Sequence, residues 1–137
     1  MSAQATHVLQ LIGIPYVPRG RTHEGADCWG VCLLAARELL GLELPEYFYS
    51  EQEILLHACM HIGRETRGPH WRALSEGDSF QPGTIHIFRI RGMETHCGLD
   101  LGRGEFLHSL PGRNSCIERL SDINWRQRRT GSYVWTP

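Results

Sequence analysis

No stretch of the sequence approaches the ~18 consecutive apolar residues that a membrane-spanning helix needs. The N-terminal MSAQATHVLQLIG has neither the basic start nor the long apolar centre of a secretory signal, so synthesis for the cytoplasm is the expectation. Net charge is nearly absent too. Fourteen Lys and Arg against fifteen Asp and Glu leave a formal −1, which argues against chain-wide attraction to nucleic acid or to a membrane. The one local basic cluster, WRQRR from Trp125 to Arg129, reads as a solvated face. A disulfide framework is also missing, because five cysteines (Cys28, Cys32, Cys59, Cys97, Cys116) are an odd number without framework spacing. They read as free thiols, most of them small buried apolar groups. Repeats, low-complexity segments and linkers are likewise lacking. What remains is one expected domain of 137 residues, 41% hydrophobic and 21% charged, with enough chain for a core.

What is present falls into helices first and strands afterwards. SAQATHVLQLIG predicts a short helix from near Ser2 to Gly13, and the Pro- and Gly-bearing IPYVPRGRTHEGA a loop. From Cys28, small or apolar residues at Val31, Cys32, Ala35 and Leu39 continue a helical stripe, with Asp27 as N-cap and Gly41 as stop. A second helix is predicted from Ser50 to about Gly63, where Ser50 and Glu53 match a capping box. TIHIFRI (Thr84 to Ile90) alternates as a half-buried strand, with Ile85, Ile87 and Ile90 inward. RGMET then predicts a turn, HCGLDLG a second strand, RG a tight turn and EFLHSL a third strand, with SCIERL and SYVWTP adding two more. Helices followed by an antiparallel meander make an α+β arrangement.

Cys28 is the residue this order singles out. A thiol at a helix N-terminus meets unpaired N–H groups and the positive end of the macrodipole, which favour the thiolate. Cys32, one turn on, reads as core. A nucleophilic thiol needs a base, and the base an orienting partner. His96 and His108 are symmetric about Gly102, so a hairpin turning at Gly102 to Gly104 brings them near-facing, about 5 Å apart at Cβ. A competing zinc reading would use Cys28, Cys32, His96, Cys97 and His108. Adjacent His96 and Cys97 point to opposite faces of a strand, however, so both cannot serve one ion. His57 and His61 are spaced i, i+4 but lack the Glu of a metal-binding helix, and read as a surface or packing pair. His7, His70 and His86 have no partner legible in the sequence, and His23 is near Cys28 only along the chain.

These residues resemble the NlpC-type family of papain-like cysteine endopeptidases, which cleave peptidoglycan stem peptides. GIPYVPRGRTHEGADCWG is similar to the family's approach to its nucleophile helix, QPGTIHIFRI to its P-G-D strand, and THCGLDLGRGEFLHS to its histidine hairpin. The resemblance spans about Ile14 to the end. It implies a papain-like α+β fold, with N-terminal helices on a five- to six-stranded antiparallel sheet. It also implies Cys28 as nucleophile, His96 as general base and His108 as orienter. Tyr16 then falls at the oxyanion site, and Asp27 where the family binds the substrate's amino end. Neither metal nor organic cofactor is implied.

Three departures stand out: Trp29 replaces the family's Ser and would reshape the site beside the nucleophile, Thr84 replaces Asp, and Cys97 replaces Val. The D-C-W-G form is similar to the variant in tail assembly proteins of bacteriophages. That likeness implies other tail-tip proteins as partners, and a virion or prophage particle as the final location. The expected reaction is hydrolysis of the bond between D-glutamate and the diamino residue of a stem peptide. Its rivals are a structural tail component without catalysis, another thiol amidase or acyltransferase, and a secreted antibacterial effector.

Overall fold

The computed structural model describes residues 3–46 and 70–137. The predicted helix over Ser50 to Gly63, and with it Cys59, His57 and His61, lies outside them. Helix α1 (Ala3–Gln10) is followed by a two-stranded hairpin, β1 (Arg21–Thr22) with β2 (Gly25–Ala26), inside the predicted loop. Helix α2 (Cys28–Leu40) comes next, then β3 (Trp71–Ala73), β4 (Ile85–Ile90), β5 (Met93–Gly102), β6 (Glu105–His108), β7 (Cys116–Arg119) and β8 (Arg129–Trp135). The last six form one sheet in the order β3-β8-β4-β5-β6-β7, with every pairing antiparallel. The α+β expectation with a five- to six-stranded antiparallel sheet is what the chain adopts.

Helix α2 owes its boundaries to local chemistry. Asp27 stays extended (φ −87°, ψ −173°) while its side chain accepts from Gly30 N–H at 2.7 Å, which satisfies a donor the first turn leaves orphaned. At the other end Gly41 takes the left-handed φ of 62°. Gly41 N–H donates to Arg37 O at 3.1 Å, the bond of an αL ending, and Leu42 N–H donates to Ala36 O at 3.0 Å. Cys28 through Ala36 are all buried, so the helix runs through the interior. It packs against β5 and β6, where Val31, Leu34, Ile85, Ile87, Leu99 and Leu107 belong to one core. Each such side chain contributes about 1.5–3 kcal/mol of transfer free energy.

The sheet corrects several strand predictions. RGMET is not all turn: Arg91 (φ 52°) and Gly92 (φ 79°) suffice, and β5 already begins at Met93. Arg103 (φ 58°) and Gly104 (φ 77°) make the next two-residue turn. Positive φ at both positions is the hairpin turn that matches strand twist. Ile90 does not join Ile85 and Ile87. Two residues after Phe88, it shares that residue's face of the strand and packs on a second core with Phe88, Phe106 and Trp125. Strand β8 starts at Arg129, ahead of the predicted Ser132, and β3 was not foreseen from its three residues.

Candidate active site

Cys28 is the first residue of α2 and fully buried. Its position is fixed by Asp27, whose carboxylate accepts from Gly30 N–H, from Arg19 N–H at 3.0 Å and from Arg21 Nη1 at 2.9 Å. The carboxylate therefore works as the predicted cap and as the anchor of the β1–β2 hairpin. Glycines permit this closeness, since a Cβ on Gly30 would overlap the Gly20 carbonyl, and one on Gly20 the Gly25 carbonyl. Burial first, then Cys28, Asp27 and Cys97, push the Tyr16 phenol upward. Its hydroxyl thus stays protonated, a hydrogen-bond donor within the electrostatic reach of Cys28.

His96 and His108 do meet. His96 Nε2 and His108 Nδ1 are 2.8 Å apart, with both rings buried. The register is not the predicted one, however. The turn is centred on Arg103–Gly104, and a bulge between Asp100 and Gly102 leaves Leu99 opposite Leu107. His108 consequently lies beside Gly98, and His96 is its diagonal neighbour on the same face, still within reach for a long side chain. A Cβ on Gly98 would stand 3.3 Å from that of His108 and crowd the Phe106 ring, so glycine clears the space the imidazoles share.

The relay continues past the predicted pair. Glu118 on β7 accepts from His108 Nε2 at 2.6 Å. That bond fixes the tautomers of both rings. A carboxylate can only accept, so His108 carries its proton on Nε2 and presents a bare Nδ1. His96 must then donate from Nε2, which leaves its own Nδ1 as a lone pair. That Nδ1 is buried and has no hydrogen-bond partner among the described residues. Burial, then His108, holds His96 well below the ordinary imidazole value, and burial lowers His108 against the opposing pull of Glu118. Both rings are therefore neutral near pH 7.

Trp125 roofs the pair, its ring 4.8 Å from that of His108 at 85° and 5.6 Å from that of His96. The WRQRR cluster is thus divided: the arginines are exposed, with Arg128 5.9 Å over the indole, while the Trp is buried.

Other expectations move. Trp29 follows Cys28 directly but points inward. It is buried in the core against Trp71, and its indole N–H donates to Pro45 O at 3.1 Å. His23 does not line the site either, since its ring nitrogens engage Glu38 (2.6 Å) and the Gln10 carbonyl (3.1 Å). Glu38 is ten residues along α2 from Cys28, about 15 Å at the helical rise. Cys32 and Cys97 lie in the α2-side core, as expected for inert thiols.

Residues 13–134 match the NlpC/P60 family, nearly the whole chain. The chain belongs to the NlpC/P60 family. Among curated relatives it is 27% identical over 116 residues to the "Murein DD-endopeptidase MepS/Murein LD-carboxypeptidase" of Escherichia coli, covering 85% of this chain and 53% of that protein. It is 26% identical over 121 residues to a "Probable endopeptidase NlpC homolog" of Haemophilus influenzae, covering 88% and 55%. The chain thus spans about half the length of these relatives. The fold recurs in an NlpC/P60 family protein of Bacillus cereus (TM-score 0.66, 20% identity, 99% of this chain and 41% of that one). It recurs also in the NlpC/p60 domain of the peptidoglycan hydrolase SagA (TM-score 0.56, 18% identity, 95% and 94%).

Proposed function

We propose that this NlpC/P60 chain is a cysteine peptidase that hydrolyses an amide bond in a peptidoglycan stem peptide, with Cys28 as nucleophile and His96 as base. The observation that carries this is the buried, unpartnered Nδ1 of His96, the free end of a relay that Glu118 and His108 hold in one tautomer. A desolvated lone pair costs stability unless something uses it, and the proton of a thiol at the start of α2 is what a base there would take. In the proposed step, Nδ1 removes the Cys28 proton and the sulfur attacks the amide carbonyl. The oxyanion is met by donors at the α2 N-terminus and by the Tyr16 hydroxyl, each typically worth about 3 kcal/mol of barrier. His96 returns the proton to the leaving amine, and water then hydrolyses the thioester.

The bond we favour joins D-glutamate to the diamino residue. The Escherichia coli relative carries the words DD-endopeptidase and LD-carboxypeptidase in its name, so the test uses defined fragments containing all three bond types, with products weighed by mass spectrometry. Cleavage at the glutamyl bond supports the assignment, and cleavage elsewhere reassigns the bond. No cleavage of any fragment by the folded protein overturns the hydrolase reading. From the D-C-W-G turn we further infer a bacteriophage tail setting, in the cell at synthesis and on the particle afterwards. Presence of the chain in washed tail particles supports that setting, and absence counts against it.

A further inference from the structure

Cys116 stands directly opposite His108 in the β6–β7 register. Its Sγ is 3.6 Å from His108 Nε2, and Glu118 Oε2 is 2.6 Å from the same nitrogen. One ligand atom from each of the three residues lies within 4.8 Å of the others. A tetrahedral zinc ion with ordinary bond lengths holds a sulfur and an imidazole nitrogen about 3.6 Å apart, and a nitrogen and a carboxylate oxygen about 3.3 Å apart. The sulfur–nitrogen pair already has that spacing. The carboxylate needs to withdraw by less than an ångström, and Glu118, with 25% of its side chain exposed, has the freedom to do so. The ligand types, thiolate, imidazole and carboxylate, are those of zinc and its borderline-soft neighbours.

We propose that His108, Cys116 and Glu118 form a binding site for a zinc-class divalent cation, and that occupancy switches off the base at His96. The switching half rests on the function proposed above, whereas the binding half does not. A metal on His108 Nε2 uses the lone pair of that nitrogen, so the neutral ring must carry its proton on Nδ1. The relay then reverses. The Nε2 proton of His108 leaves to solvent, the His96 Nε2 proton crosses the 2.8 Å bond to His108 Nδ1, and His96 Nδ1 takes up one proton from solvent in exchange, so both rings stay neutral. Cys116 releases its own proton to become the thiolate ligand. His96 Nδ1 then carries an N–H and no lone pair, and it can no longer take a proton from the candidate nucleophile. The cation thus acts as a brake on catalysis, reached from the exposed Glu118 side.

The binding test is cobalt(II) titration of the folded Cys28→Ala protein, which removes the thiol of the candidate nucleophile. A sulfur-to-cobalt charge-transfer band that saturates at one equivalent, and is lost in Cys28→Ala/Cys116→Ser, is the expected result. No band, or an equal band in the double variant, overturns the site whether or not the protein hydrolyses peptides. The switching test is the rate of Cys28 alkylation with zinc present. Zinc slows it at least tenfold in the wild type and less than twofold in Cys116→Ser, with Cys116→Ala as a second variant. Equal slowing in wild type and variants overturns the brake.

Discussion

Two histidine networks cross the same sheet, and they end differently. Ser132, His86, Gly98, His108 and Cys116 stand in one transverse row from β8 to β7. At one end His86 is closed on both sides: its Nε2 donates to Asp100 Oδ2 at 2.8 Å, and its Nδ1 accepts from Ser132 Oγ at 2.7 Å. Arg129 Nη1 in turn donates to Ser132 Oγ at 2.9 Å, and Asp100 Oδ1 accepts from Gly102 N–H at 2.7 Å. At the other end Glu118, His108 and His96 are linked in the same way, yet the last nitrogen has no partner among the described residues. Burial lowers all three imidazoles, so a perturbed titration does not separate them. Completeness does: the closed network locks β4 to β5 and β8, and the open one has a lone pair left for chemistry.

The largest expected effect breaks the open network. Cys28→Ala or His96→Gln lowers peptide hydrolysis by roughly a thousandfold or more while the circular dichroism spectrum stays native. A matched change in the closed network does the opposite. His86→Ala strands the buried Asp100 carboxylate and costs roughly 3 kcal/mol of stability in urea titration, with turnover per folded molecule nearly unchanged. Equal losses of activity from the His86 and His96 changes would erase the distinction.

Glu118 sharpens it. Glu118→Leu removes the acceptor that fixes the tautomers, and kcat falls roughly 10–100-fold. Glu118→Gln keeps an acceptor oxygen and stays closer to wild type, a rescue that a packing role alone would not give.

The smallest effect concerns pH. His86 and His96 are held below their unfolded value of about 6.5, so the unfolded chain binds more protons than the native one as pH drops through that value. Stability is therefore complete above about pH 7 and falls on acidification, by up to about 1.4 kcal/mol per pH unit for each histidine. Urea midpoints measured at about pH 7.5 and about pH 5.5 read this, with a shallower fall expected in His86→Gln.

How much of this was legible depends on how local each cause is. Asp27, Cys28 and Gly41 were readable because caps are set by a few neighbouring residues. The meeting of His96 and His108 was readable from one hairpin, though its register was not, because a bulge is a tertiary adjustment that leaves little mark in sequence. Glu118, Cys116 and Trp125 come from β7 and the turn after it. No spacing rule ties them to a histidine on another strand. Trp29 shows the same limit: its neighbour in sequence is the candidate nucleophile, while its ring packs on Trp71 and its N–H reaches Pro45, contacts no local spacing announces.

The central claim, that the open nitrogen of His96 serves Cys28, is tested most directly by the pH dependence of Cys28 alkylation in wild type and His96→Gln. Cys28 is expected to react far faster than the other four thiols below pH 7, and to lose that advantage without the imidazole. Cys28 reacting no faster than Cys116, or equally fast in both proteins, would contradict the claim.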